Sequence, residues 1–291
     1  MNRKETLDDI SIQLSNKTPR LPARFRVKSN KYGVYLTCRT LLPFPVFIAV
    51  FGFLIERNVT TALIAYFFFG WSAYRIQFVL HDTCHMSLFS NRRANDLVGK
   101  ISGLFILNYF PRYRAIHFLH HKYNGLIEDP QLPDYLSDTQ LNKKSFIKFL
   151  IEPLYGARVI PYFKRDLLEA KVLNVSIPKP NVIWWTSAIF VQLSIALILT
   201  NFFRDPYFLI SLYLGLTTFS LFLARLRTLA EHQQVNSTYK DFSRTHPRNW
   251  LDTLLLQDAN FCYHLEHHLY PSVQSRHLPE LFSELTSDLH T

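Results

Sequence analysis

The chain has 291 residues, 48% of them hydrophobic and 15% aromatic, and only 8 are Gly, which excludes fibrous and low-complexity classes. Lys and Arg number 32 against 22 Asp and Glu, a formal charge of +10. The apolar residues are bunched into long runs, so this excess reads as loops beside anionic lipid and not as a nucleic-acid surface.

In chain order, residues 1–38 form a basic N-terminal segment, of which Met1 to Ser29 is too polar for a signal peptide. Residues 39–291 then read as a single membrane domain. A bilayer core takes about 20 apolar residues, and four segments qualify, at about 41–57, 59–80, 182–203 and 206–224. The first is built on the short run Leu41 to Ile55, with two prolines; the second carries "YFFFGW", read as lipid-facing packing. Only "ERN" separates the first two segments and only "RD" the last two, which predicts two antiparallel hairpins. Residues 1–39 hold nine Lys/Arg, residues 81–181 fourteen and residues 225–291 six, whereas each short connection holds one. By the positive-inside rule both termini and the middle section face the cytosol. The predicted fold class is therefore all-α: an integral membrane protein with four transmembrane helices in two hairpins and a cytosolic helical cap, 81–181 and 225–291. The run Ile101 to Phe110 is too short to cross and reads as an interfacial or re-entrant segment. "SIPKPN", before the third span, reads as a hinge into the membrane.

Eight of the 12 histidines fall in three clusters: His81 and His85 in "HDTCH", His117, His120 and His121 in "HFLHH", and His264, His267 and His268 in "HLEHH". Residues at i, i+3 and i+4 share a helix face, so each cluster is expected to present its imidazoles to a common point. His232 in "AEH", beyond the last span, is a ninth candidate. Each cluster begins or follows a segment leaving the membrane, so the topology brings the clusters together. Neutral imidazole suits zinc, copper, iron and nickel. One ion needs three or four ligands, so nine histidines suit two ions with open positions. Cys38, Cys84 and Cys262 are odd in number and form no CxxC pair, leaving a nitrogen-rich site without cysteine ligands. Asp82, Glu231, Asp258 and Glu266 sit beside ligands and are natural acceptors for the outer imidazole N–H. Asn260 is a further candidate ligand. His246, His277 and His290 read as surface residues. Arg112 and Arg114 in "PRYRAIHF" are candidate contacts for an anionic headgroup or an acidic electron donor, or plain interface anchors.

The three clusters, in this order on two hairpins, resemble the histidine boxes of the membrane fatty acid desaturase family, which includes related acyl hydroxylases and carotenoid ketolases. The similarity runs from about Phe78 to Pro271, and "EDP" at Glu128 to Pro130 also resembles the family. The resemblance implies a cytosolic non-haem di-iron site, with His81, His85, His117, His120, His121, His232, His264, His267 and His268 as metal ligands and O2 as co-substrate. It implies desaturation of the acyl chain of a fatty acid or lipid. A carotenoid ketolase or hydroxylase, an acyl-chain hydroxylase and a decarboxylase would use the same site. The first box has three intervening residues, not the four of acyl-CoA Δ9 members, which points to acyl-lipid, acyl-carrier or carotenoid-type relatives. Without an HPGG cytochrome b5 pattern, electrons are expected from a separate donor of ferredoxin or cytochrome b5 type, with no nucleic-acid partner. A haem carrier would want paired histidines on facing spans, and a transporter would want ionisable residues at mid-membrane; the spans Leu41–Ile55 and Val182–Ala224 offer neither.

Overall fold

The computed structural model describes residues 20–126, 128–134, 142–157, 159–160, 176–201, 204–232, 243–246, 250, 253 and 260–287. Among them the structure is all-helical, with one isolated bridge between Thr245 and Tyr263. Four helical stretches are long and apolar enough to cross a membrane: Asn30–Leu54, Val59–Cys84, Val182–Leu199 and Tyr207–His232.

The first stretch joins α1 (Asn30–Leu41), α2 (Pro43–Ala49) and a π-helical turn, Val50–Leu54. It begins well before the apolar run from Leu41. The Ser29 hydroxyl caps α1 by accepting from the Tyr32 N–H at 3.2 Å. Pro43 does not stop the helix because it takes the first-turn position of α2, where a missing N–H costs nothing. α3 (Val59–Cys84) starts on a capping box, with Thr61 N–H on Asn58 Oδ1 at 3.0 Å and Asn58 N–H on Thr61 Oγ1 at 3.1 Å. It runs past the predicted end near residue 80 and so carries His81 on a membrane-length helix. The third stretch is α4's neighbour in space but later in sequence, so the intervening helices come first: α4 (Arg92–Phe105), α5 (Phe110–Tyr123) and α6 (Lys143–Ile151). α7 (Val182–Leu199) is the third stretch. α8 (Tyr207–Leu214), a π-helical turn Gly215–Phe219 and α9 (Ser220–His232) form the fourth. α10 (His264–Leu269) and α11 (Leu278–Ser287) follow.

The run Ile101 to Phe110 is not one segment. It is divided between the end of α4 and the start of α5, and the chain reverses at Leu107, whose φ is 53°.

The main core places Phe44, Ile48 and Phe51 of the first stretch against Ala65, Phe69 and Ala73 of α3. Ile195 and Leu199 of α7, with Phe208 and Leu212 of α8, complete it. The opposite faces stay apolar and exposed: Val182, Ile183 and Phe190 of α7 are 77%, 74% and 72% accessible, as hydrocarbon-facing residues are. Helices α3 and α8–α9 touch backbone to backbone at Gly70 and Gly215, where a Cβ on Gly215 would lie 2.5 Å from the Tyr66 carbonyl. Gln192 of α7 donates to the Leu104 carbonyl at 2.9 Å and accepts from Tyr213 at 2.9 Å, tying α4 to the spans. A second core gathers Phe25, Leu265, Leu281 and Leu285, so the chain before α1 packs on α10 and α11.

Candidate metal centre

Each histidine cluster sits at a helix end. His81 is on the last turn of α3 and His85 caps that helix. His117, His120 and His121 occupy the second half of α5, His232 ends α9, and α10 is the third cluster itself. The nine imidazoles sort into two groups. One holds His81, His85, His117, His121 and His267, the other His120, His232, His264 and His268; within each group the ligand nitrogens lie within 4.8 Å of one another.

This partition corrects the expectation that each cluster serves one point. The pairs at i and i+4 stay together: 81 with 85, 117 with 121, 264 with 268. The i+3 member of "HFLHH" and of "HLEHH" crosses to the other group. At about 100° per residue, the third and fourth positions diverge by roughly 100° around the axis, enough to face different centres.

In the first group, His121 Nε2 lies 3.1 Å from His117 Nε2 and 3.2 Å from His267 Nε2. In the second, His264 Nε2 is 3.0 Å from His232 Nε2 and 3.1 Å from His268 Nε2. His81 Nε2, His85 Nε2 and His120 Nε2 are buried and make no hydrogen bond. Burial, reinforced by the charges of neighbouring imidazoles, holds His117, His264, His267 and His268 well below the usual imidazole range. His121 moves the same way for the same reasons, and burial takes His85 down to about 3. The rings are therefore neutral, with lone pairs to offer.

The outer nitrogens have partners as well. Nδ1 of His120 is 2.9 Å from Asp129 Oδ1 and 3.1 Å from Oδ2. Asp129 is itself fixed by the Gly125 N–H at 3.0 Å and the Gln131 N–H at 2.8 Å. His81 Nδ1 lies 3.4 Å from Asp82 Oδ1, and Ser275 donates to Asp82 Oδ2 at 3.0 Å. Glu231 Oε1 lies 3.7 Å from His264 Nδ1. Glu266 departs from expectation: its carboxylate accepts from the Thr245 hydroxyl, and burial raises its pKa to about 7. Asp258 and His290 lie outside the described residues. Asn260 Nδ2 donates to the Ser275 carbonyl at 3.1 Å. The asparagine near the imidazoles is Asn124, with Nδ2 3.4 Å from His268 Nδ1 and 2.9 Å from Ser243 Oγ. His277 is half-buried against Phe25, with Nδ1 3.8 Å from Glu280, and is not a free surface residue. Arg114 is held by Asp96 at 2.6 Å and the Thr83 carbonyl at 3.2 Å.

A family model for fatty acid desaturases matches residues 58–291, which contain both groups. The chain belongs to the fatty acid desaturase family. Among similar proteins are the dihydrorhizobitoxine desaturase of Bradyrhizobium elkanii, 28% identical over 67% of this chain and 59% of that protein. The fatty acid desaturase of Bacillus subtilis (strain 168) is 24% identical over 68% and 61%. A sphingolipid delta(4)-desaturase of Drosophila melanogaster is 26% identical over 75% and 64%. The chain spans about three fifths of the length of these relatives.

The donor set of this desaturase-family chain fits metal ions. Nitrogens of a tetrahedral ion at about 2.1 Å would be roughly 3.4 Å apart. Within each group the ligand nitrogens lie within 4.8 Å of one another, close enough to share a metal ion. Sequence reasoning missed Asp129 and Asn124 as outer partners. "EDP" was the available signal for Asp129.

Proposed function

We propose that this chain is a membrane-bound, O2-dependent oxidoreductase that desaturates the acyl chain of a fatty acid or lipid at a pair of non-haem iron ions. The observation that carries this is the sorting of nine buried or half-buried imidazoles into groups of five and four. His81, His85, His117, His121 and His267 would hold one ion, and His120, His232, His264 and His268 the other. Imidazole-ligated iron, when bound and reduced, supplies the oxidising power toward O2 and unactivated C–H bonds that acid–base side chains lack. In the balanced reaction two adjacent methylenes each lose one hydrogen, O2 leaves as two waters, and a separate donor supplies two electrons with two protons.

The residues of the chain hold and orient. Asp129 accepts from His120 Nδ1, which fixes that ring as the tautomer whose Nε2 points inward. Asp82 and Ser275 brace His81 in the same way. Phe261, 4.7 Å from the His81 ring, and Tyr113, stacked 5.7 Å from His117, pack aromatic surface against the imidazoles and exclude water. We read the four apolar stretches as two hairpins. The distribution of Lys and Arg supports a cytosolic side for both termini and the imidazole groups.

The test is to express the chain in a host of known lipid composition, measure metal in the purified protein and follow total lipids by mass spectrometry. Iron near two per chain and new double bonds are expected, with His121→Ala and His267→Ala inserted in the membrane but inactive. An active preparation free of transition metal would overturn the reading. New hydroxyl or keto groups in place of double bonds would move it to a hydroxylase or ketolase.

A further inference from the structure

A cavity of about 490 Å³ opens directly beside the five-imidazole group, with His85 in its wall. Cys84, His85 and Asn95 are its buried members; Lys28 is half-buried, and Arg92 and the ring of Phe118 are exposed at its edge. Three cations line it: Lys28, Arg92 and Arg114. Arg114 already has Asp96 at 2.6 Å. Among the described residues, Lys28 and Arg92 have no carboxylate partner, and no acidic residue lines the cavity.

Two cations that lack a carboxylate partner among the described residues, beside apolar surface, make the site amphipathic. Cys84, Met86 and Phe118 supply the apolar part. Burial without a counter-charge lowers the pKa of Lys28, a cost that a bound anion would relieve. The volume lies in the range of small-molecule sites.

We propose that this cavity seats the anionic end, a carboxylate or a phosphate, of the acyl substrate. Lys28 and Arg92 hold that end, and the hydrocarbon lies along Cys84 and Phe118 toward His85. Calling the ligand a substrate rests on the function proposed above; its binding does not. The substrate class is thereby narrowed to chains with a negatively charged head, as opposed to neutral esters or carotenoid-type hydrocarbons.

The experiment measures equilibrium binding to the whole protein in phosphatidylcholine nanodiscs. The probes are a radiolabelled long-chain carboxylate, the alkyl phosphate of equal length and the neutral methyl ester. The paired anion is expected to favour at least one charged probe over the ester by about tenfold or more. Lys28→Gln with Arg92→Gln should collapse that preference to near unity, and Lys28→Arg should keep it. Neither side chain has a carboxylate partner among the described residues, so the variants should match the parent in melting temperature and metal content. The carboxylate and phosphate arms identify the head, and displacement by inorganic phosphate alone would show that a free anion suffices. The same binding is run on metal-loaded and chelated protein. Anion preference without turnover would leave the cavity assignment standing and sink the proposed function. An ester that binds as tightly as the anions would overturn the assignment. So would a double variant that keeps the preference, or one that weakens only the docking of an acidic electron-donor protein.

Discussion

Asp129 accepts a hydrogen bond from His120 Nδ1 at 2.9 Å, with its second oxygen at 3.1 Å. A carboxylate only accepts, so the ring nitrogen facing it carries the proton, and Nε2 is the nitrogen left to serve a metal ion. Asp129 is 3% exposed and braced by two backbone N–H groups, so its orientation is fixed before any ion arrives. Asp129→Ala should weaken metal binding at the four-imidazole group by about 10–100-fold. Metal titration with detection by mass spectrometry reads this directly. A variant with parental affinity would show that Asp129 does not set the His120 ring.

The division of the imidazoles predicts that the two ions are lost separately. His268 belongs to the four-member group and His121 to the five-member group, although their rings stack 4.1 Å apart. His268→Ala should weaken the ion of the four-member group and leave the other, because three imidazoles remain where four stood and the other group is intact. His85→Ala leaves four imidazoles in the five-member group and should weaken that ion alone. Metal counts combined with a spectroscopic probe of each ion distinguish them. Loss of both ions from either variant would mean that the groups form one cooperative site.

The apolar stretches at Val59, Val182 and Tyr207 were legible because apolar runs of membrane length with few charges have few other uses. The helical start at Asn30 was not, since Lys31 and Arg39 interrupt the apolar pattern, and Pro43 looks like a breaker until its first-turn position is known. Eight ligand candidates were legible from spacing, and His232 from its place beyond the last span. Their allocation was not: a face shared at i, i+3 and i+4 is broad, and only the placement of α5 and α10 shows that His120 and His267 point away from their neighbours. Asn260 and Glu266 were adjacent to the site in sequence, but a φ of 63° and the Thr245 hydroxyl turn them to structural partners. The cavity needed tertiary contact, because Lys28 reaches it from before α1 and Arg92 from the start of α4.

The approach of α3 to the π-helical turn before α9 makes a stability prediction. A Cβ at Gly215 would lie 2.5 Å from the Tyr66 carbonyl and 2.8 Å from the Gly70 N, and neither backbone can step aside alone. Gly215→Ala should therefore separate the helices and cost about 1–3 kcal/mol. A melt of the detergent-solubilised protein should show a fall of several degrees. An unchanged melting temperature would mean that the helices do not pack this closely. His81 and His232 lie toward the same end of these helices, so metal retention should weaken with the packing.

Arg227 supports the second imidazole group from within α9. Its guanidinium lies 5.3 Å from the Phe78 ring and 5.8 Å from the Phe261 ring, and its Nε is 3.2 Å from Glu231 Oε2. Glu231 in turn faces His264 Nδ1 at 3.7 Å. The Arg227 side chain is 12% exposed and that of Glu231 is 1% exposed. Removing the cation alone strands a buried carboxylate, and such losses run to about 3–5 kcal/mol. Arg227→Met should thus lower the melting temperature and loosen the metal held by His264. Adding Glu231→Gln to it removes the stranded charge and should recover much of the stability, while leaving His264 without its anionic neighbour. Melting temperature and metal content measured on the single and double variants separate the two effects. If the double variant is no more stable than Arg227→Met, the guanidinium acts through packing on Phe78 and Phe261, and not by balancing Glu231.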